Sequence, residues 1–103
     1  MNTVFKALAD PTRRKVLELL RQRPMTAGEL SDAFTVSKPT MSAHFAVLRE
    51  AGLIDASKAG ATITYRLKLS VLEDALLGFA QVFGIGTATP APEPTELQEG
   101  KSS

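Results

Sequence analysis

Hydrogen-bonding and cationic side chains gather at the start of one helix predicted in the middle of the chain. Ser37 is a typical N-cap residue and stands two positions before Pro39, whose missing N–H group costs nothing in a first helical turn. Lys38 and Thr40 fall in that first turn. Hydroxyl and ammonium groups at the N-terminus of an exposed helix can bond to phosphates or to base edges in a major groove. The pattern therefore indicates nucleic-acid binding by this helix.

The same helix has one apolar side and one side made of small residues. Met41, Phe45 and Leu48 recur at helical spacing and predict the buried side. Gly52 predicts the end of the helix, because glycine readily adopts the left-handed conformation found there. The outer side carries Thr40, Ala43, Ala46 and Val47, with Ser42 and His44 at its flanks. Such a surface can enter a major groove deeply.

A shorter helix is predicted directly before this one. Thr26 and Glu29 have the spacing of a capping box, and Leu30, Ala33 and Phe34 follow on one face. The two helices together predict a helix-turn-helix. An ordinary pair of packed helices is the alternative, because capped helix pairs are common in small α-helical domains.

Two more helices are predicted at the N-terminus. The first covers residues 2–8, and the second starts with Asp10 as its N-cap before Pro11 and ends near Arg23. Arg13 and the two basic residues after it are expected to lie on a solvated surface, with Arg13 in a local ion pair. The apolar positions of the two helices are Val4, Phe5, Leu8, Val16, Leu17 and Leu20.

After Gly52 the pattern changes to the two-residue alternation of strands. Residues 53–57 and 62–67 flank a turn at Gly60 and predict a β-hairpin directly behind the helix-turn-helix. In this position a hairpin commonly acts as a wing along the DNA backbone. Its predicted phosphate contacts are Lys58 and Arg66.

The last predicted helix starts at Ser70, which has a capping-box spacing with Glu73, and runs to about Phe83. It is apolar on more than half of its circumference, so a second subunit is expected to cover it. Cover by the first helix of the same chain is the alternative, and we expect both. The predicted dimer interface comprises Val4, Phe5, Leu8, Leu72, Leu76, Phe79, Ala80 and Phe83.

Length and composition limit the domain organisation. The 103 residues predict one mainly α domain with a small β-hairpin wing over residues 1–84, in the order α-α-α-α-β-β-α. Residues 85–103 contain three of the six prolines and predict a disordered tail. Eleven basic against eight acidic residues give the domain a charge of +3. The chain has no cysteine, which excludes disulfides and thiolate metal sites, and neither a signal peptide nor a membrane span is apparent, so a cytoplasmic location is expected.

Four motifs resemble the ArsR-type winged-helix repressors in content and in order. They are FKALADPTRRKVLELL at residues 5–20, MTAGEL at 25–30, SKPTMSAHF at 37–45 and LREAGL at 48–53. The residues of the second and third motifs are similar to those of the SdpR-like autorepressor branch. The resemblance implies a homodimeric repressor that binds a palindromic DNA operator. It also implies that the DNA-facing positions of the recognition helix are Ser37, Lys38, Thr40, Ser42, Ala43 and His44.

The sequence departs from the metal-sensing members of that family. Those members carry a Cys-x-Cys-type motif in the first helix of the helix-turn-helix, or Asp and His ligands along the terminal helix. Here residues 29–34 contain no cysteine, the terminal helix contains no histidine, and the adjacent Glu73 and Asp74 diverge around the helix. No metal ion or other cofactor is therefore expected. The wing also has fewer arginines than is usual for the family.

Enzyme activity is not expected, because no nucleophile motif or phosphate-binding glycine motif is present. His44 has two interpretations, a hydrogen bond within the domain or a DNA contact, and the resemblance favours the DNA contact. Two functions remain open. The first is a dimeric transcriptional repressor. Its repression could be relieved by an anti-repressor protein that competes for the dimer or the DNA face. The second is a winged-helix module that docks on another protein through its terminal helix.

Overall fold

A computed structural model describes residues 2–84, and this part of the chain forms five helices and a three-stranded antiparallel sheet. The mainly helical winged fold predicted from the sequence is confirmed, with one additional short strand that the sequence did not predict. The predicted disordered tail, residues 85–103, lies outside the described residues. The elements in chain order are α1 (Asn2–Leu8), α2 (Pro11–Gln22), β1 (Met25–Thr26), α3 (Ala27–Asp32), α4 (Lys38–Glu50), β2 (Ile54–Ala59), β3 (Thr62–Leu67) and α5 (Leu69–Val82).

The chain divides into two compact units, and each is described by itself. The first ends at Leu72 and includes the helix-turn-helix, the sheet and the first turn of α5. The second begins at Glu73, within α5. The single domain over residues 1–84 stays a prediction.

The predicted caps fix the starts of α2, α3 and α4. Asp10 precedes α2 and its Oδ2 accepts from the Arg13 amide at 3.1 Å. Thr26 and Glu29 form a complete capping box at α3, in which the Glu29 amide donates to Thr26 Oγ1 at 3.1 Å and the Thr26 amide donates to Glu29 Oε1 at 2.9 Å. Ser37 caps α4 in an extended conformation. Each cap satisfies backbone donors that the helix itself leaves unpaired.

The end of α4 is a Schellman motif. Gly52 has a φ of 75° and its amide donates to the Arg49 carbonyl at 2.9 Å, while the Leu53 amide donates to the Leu48 carbonyl at 3.0 Å. Leu48 and Leu53 are both fully buried. The motif therefore turns the chain sharply from α4 into the wing and anchors that turn in the core.

The sheet has the strand order β1-β3-β2. β2 and β3 form the predicted hairpin, closed by Gly60 and Ala61, and Gly60 has the positive φ that primed two-residue turns require at this position. β1 pairs with the other edge of β3, with Met25 opposite Tyr65 and Thr26 opposite Thr64. The wing is thus tied to the residues that start α3.

The core of the first unit lies where α2, α3, α4 and the turn after α4 meet. Met41, Phe45 and Leu48 form the buried side of α4, as predicted. The Phe45 ring packs on Tyr65 of β3, with the ring centroids 4.7 Å apart. The largest fully buried side chains are Leu30, Met41, Leu48, Leu53 and Val16.

The structure differs from the sequence-based expectations in the extent of α3 and in the start of α5. α3 ends at Asp32, so only Leu30 of its three predicted apolar positions is a buried helical residue, and Ala33 is the exposed C-cap. α5 begins at Leu69, so Ser70 is not its N-cap. The Lys68 carbonyl instead accepts from the amides one turn further on, at 3.1 and 3.5 Å.

Candidate nucleic-acid interface

The outward side of α4 presents small and polar side chains. Met41, Phe45 and Leu48 are buried and fix which side of the helix faces out. A side free of large apolar groups is compatible with the base edges and methyl groups of a DNA groove. The exposed predicted contacts are Ser37, Lys38, Thr40, Ser42 and Ala43.

The first turn of α4 contains a pair of bonded hydroxyl groups. Ser37 Oγ accepts from the Thr40 amide at 3.4 Å and donates to Thr40 Oγ1 at 2.9 Å. Because Thr40 Oγ1 already accepts a proton, its own hydroxyl hydrogen is directed elsewhere. Thr40 is exposed, so its hydroxyl can donate to an acceptor outside the protein. DNA presents such acceptors as phosphate oxygens and as base atoms in the major groove.

His44 lies in a different environment from the other predicted contacts. Its side chain is only 14% exposed, Nδ1 is 3.1 Å from Nη1 of Arg13, and Nε2 is 3.9 Å from Oδ2 of Asp10. The hydrogen bond within the domain, which the sequence left open as an alternative, is thus present. A DNA contact by His44 stays a prediction.

Arg13 is the functional candidate that the sequence did not indicate. The expected local ion pair of Arg13 is replaced by hydrogen bonds to two backbone carbonyls at the end of α1, with Nε 2.8 Å from Ala7 O and Nη2 2.9 Å from Lys6 O. Its third contact is His44 on α4. The spacing of Arg13 after the N-cap was visible in the sequence, but nothing there related it to His44, which is 31 positions away.

Two carboxylates of the caps have shifted pKa values. The pKa of Asp10 is lowered, mainly by the hydrogen bond from the Arg13 amide, and the charges of His44 and Arg13 add to the effect while burial opposes it. The pKa of Glu29 is lowered, mainly by the amide of Thr26 and then by the hydrogen bond from Arg23 at 3.5 Å. Both carboxylates therefore remain ionised at neutral pH and contribute negative charge at helix N-termini, where it is favourable.

The two predicted phosphate contacts of the wing do not lie together. Lys58 pairs with Ile63 in the second register position from the turn, whereas Arg66 pairs with Asp55 further along the hairpin. Since side chains alternate along a strand, Lys58 and Arg66 lie on opposite faces. Both are exposed, but Arg66 has an acidic neighbour directly across the ladder. Lys58 is the better placed cation for a contact at the tip.

The second unit exposes large apolar side chains along α5. Ala75 is the buried residue of this helix, whereas Val82 is 77% exposed and Phe83, directly after the helix, is 65% exposed. Among the other predicted interface positions, Phe5, Leu8, Leu72 and Ala80 are half-buried, Leu76 is 50% exposed and Phe79 is 40% exposed. Val4 differs, because it is only 7% exposed and so offers little surface to a partner.

Within residues 2–84, no group of three or more His, Cys, Asp or Glu side chains could hold a metal ion. None of the helices described is long and apolar enough to cross a bilayer.

Comparison with known proteins gives consistent matches. Residues 10–56 match the family model described as bacterial regulatory protein, arsR family. The chain is 46% identical over 76 residues to the transcriptional repressor SdpR of Bacillus subtilis, covering 74% of this chain and 84% of the relative. It is 42% identical over 77 residues to the arsenic resistance transcriptional regulator ArsR1 of Pseudomonas putida, covering 72% of this chain and 60% of that one.

Solved structures agree with the sequence matches. An ArsR-like transcriptional regulator from Rhodococcus sp. RHA1 superposes with a TM-score of 0.71 at 28% identity, over 81% of this chain and 78% of the other. The crystal structure of another ArsR family transcriptional regulator gives a TM-score of 0.69 at 32% identity, over 81% and 89% of the two chains. The chain therefore belongs to the ArsR family of bacterial regulatory proteins, which are transcriptional regulators and not enzymes.

Proposed function

We propose that the protein is a homodimeric repressor that reads a palindromic operator with α4. The observation that carries this proposal is the exposed row of small and hydroxyl-bearing side chains on α4, with a lysine at its start and a fully buried opposite side. The similarity to a protein named a transcriptional repressor supports repression as the outcome of binding. Repression of the protein's own gene is included in the proposal.

In this proposal the first turn of α4 provides the base contacts. Lys38 can reach a guanine edge or a phosphate, and Thr40 can donate from its free hydroxyl hydrogen. Ser42 and Ala43 are small enough to allow close approach of the helix to the groove. Ser37 acts mainly through Thr40, because its own hydroxyl is engaged in the cap.

The wing is proposed to contribute phosphate contacts and not base readout. Lys58 is close to the turn and exposed, whereas Arg66 is farther from the turn and opposite Asp55. Replacing Lys58 by glutamine should flatten the salt dependence of operator binding by about one unit per lost contact. The same change at Arg66 should flatten it less, and a larger effect at Arg66 would contradict this assignment.

Dimerisation is proposed to involve α1 and α5. Leu76, Leu77 and Val82 expose half or more of their surface on one short helix, which is unfavourable in an isolated subunit. Two-fold symmetry would place two α4 helices on successive half-sites of a palindrome. The proposed domain extends over residues 1–84, needs no metal ion or other cofactor, and could be displaced from DNA by an anti-repressor protein.

A gel-shift titration tests this function. The probe is the duplex upstream of the protein's own gene, and a shuffled duplex of equal length and composition is the control. We expect binding to the upstream duplex at least about a thousandfold tighter than to the shuffled one, the lower end of the range for specific DNA-binding proteins. Equal affinity for both duplexes would reject sequence-specific reading. In that case the exposed face of α5 would favour the alternative, a module that docks on another protein.

A further inference from the structure

A single guanidinium group connects three helices of the first unit. Arg13, in the first turn of α2, donates through Nε and Nη2 to the carbonyls of Ala7 and Lys6 at the end of α1, at 2.8 and 2.9 Å. Its Nη1 lies 3.1 Å from Nδ1 of His44 on α4. The planar arrangement of the guanidinium donors allows all three bonds at once, which a lysine ammonium on its flexible stem does not reproduce.

The bond to α4 requires one protonation state of His44. Arginine has only donors, so His44 Nδ1 must accept and the ring hydrogen must be on Nε2. Nε2 is directed towards Asp10 Oδ2 at 3.9 Å, which is too long for a hydrogen bond but favours the dipole of the N–H group. Asp10 is in turn fixed by the bond from the Arg13 amide. The ring is therefore oriented from both sides.

These contacts give α4 a directional support that its apolar side does not. Met41, Phe45 and Leu48 bury α4, and such contacts are non-directional. His44 is four positions after Thr40, one helical turn further along α4, so a fixed ring also fixes the rotation of the first turn. A small rotation would displace every side chain that points into the groove.

We propose that Arg13 and His44 are positioning residues for DNA reading, which hold α4 in register with the end of α1. This proposal rests on the proposed function of α4 as the DNA reader. It assigns His44 to the support of α4, in place of a direct DNA contact. The three charged or titratable groups between α1, α2 and α4 then have separate roles. Asp10 orients the imidazole ring, Arg13 joins the helices and His44 accepts the hydrogen bond from Arg13.

Support by His44 and a direct DNA contact by His44 require different groups on the side chain. In the support role Nδ1 accepts from Arg13, so a replacement that keeps an acceptor at this position keeps the bond. A direct phosphate contact would instead require a donor directed at the DNA. Variants of His44 with and without an acceptor therefore separate the two roles.

Operator affinity measured for a set of variants tests the proposal. His44→Phe should weaken binding at least about tenfold, the effect of losing one hydrogen bond to a charged group. Arg13→Gln should weaken it at least as much, because it also removes the two bonds to α1, and the double variant should bind no more weakly than Arg13→Gln alone. His44→Asn should bind the operator about as tightly as wild type. Asparagine Oδ1, like histidine Nδ1, is two bonds from Cβ and can accept the hydrogen bond from Arg13. Lys15→Gln is the control, since it removes the same charge from α2 at an exposed ion pair with Glu18.

His44→Asn that bound the operator as weakly as His44→Phe would overturn the proposal. A measurement without DNA completes the test. Amide hydrogen exchange should accelerate in both α1 and α4 of Arg13→Gln and in neither for Lys15→Gln. Acceleration in α1 alone would reduce Arg13 to a cap of that helix and reject the proposal. Hydrogen exchange tests the proposal even if the wild-type protein binds no operator. A lack of operator binding would reject only the proposed function.

Discussion

Replacement of Thr40 by valine isolates one hydroxyl group on the proposed reading surface. Valine keeps the branched shape at Cβ and replaces only the hydroxyl group by a methyl group. The Thr40 amide still donates to Ser37 Oγ, so the N-cap of α4 is retained. Ser37 loses the oxygen to which its hydroxyl donates at 2.9 Å, but both residues are exposed and water can replace it. The free energy of unfolding should change by less than about 0.5 kcal/mol.

Operator binding should respond much more strongly. One lost base contact costs about 1–3 kcal/mol, so two half-sites lose at least about 2 kcal/mol, roughly a 30-fold weaker operator complex. Binding to random DNA should change by less than about twofold, because it depends mainly on phosphate charges. The variant therefore loses specificity and keeps its general attraction to DNA.

Fluorescence anisotropy with labelled operator and random duplexes at one fixed salt concentration measures both affinities. Thr3→Val is a matched control, since it makes the same chemical change at an exposed position of α1. The reasoning fails if Thr40→Val and wild type discriminate equally between the two duplexes. It also fails if both affinities fall in parallel, because Thr40 would then be a phosphate contact.

Three further predictions concern the dimer, metal ions and acid. Replacing Leu76 and Phe79 together by glutamate should give monomers by light scattering and abolish tight operator binding, because two half-sites are no longer engaged at once; a surviving dimer would exclude this interface. Zinc, copper and nickel should leave operator affinity unchanged with or without chelator, and a tight stoichiometric site in calorimetry would contradict that. Because the folded-state pKa of Asp10 is lowered from 3.8, its stabilising contribution is present above that pH and is lost as the pH falls below it. Asp10→Ser, which keeps a neutral cap, should therefore lose less stability than wild type in urea unfolding between pH 5 and pH 3, and equal losses would exclude the effect.

Local signals in the sequence were sufficient for the helix-turn-helix and the hairpin. The caps at Asp10, Thr26 and Ser37 and the glycine at the end of α4 act within a few residues, so their sequence patterns predict their geometry. The alternation after Gly52 likewise predicted the two long strands. Each of these features depends on the chemistry of neighbouring residues.

The features that were missed depend on contacts between distant parts of the chain. β1 is only two residues long and exists through its pairing with β3. α5 starts before Ser70 because the Lys68 amide is held by the Leu53 carbonyl at 2.8 Å, which fixes the corner one residue earlier. α3 is shortened by i→i+3 bonds from Ala33 and Phe34, which tighten its last turn. The environment of His44 was undecidable for the same reason, because Arg13 is remote in sequence.

The short strand β1 has a consequence for the order of folding. The β2–β3 hairpin closes over two residues, which takes microseconds, whereas Met25 must find Tyr65 across 40 positions of chain. Closing that loop costs more chain entropy until α3 and α4 have packed and brought its ends together. The β1–β3 pairing is therefore expected to form after the rate-limiting step of folding. In stopped-flow experiments, Met25→Ala should accelerate unfolding and leave the folding rate nearly unchanged. A proportional slowing of folding would instead place β1 in the folding nucleus. Because it forms last, the β1–β3 pairing is also expected to open first, and its opening would leave the hairpin held to α4 through the packing of Tyr65 on Phe45.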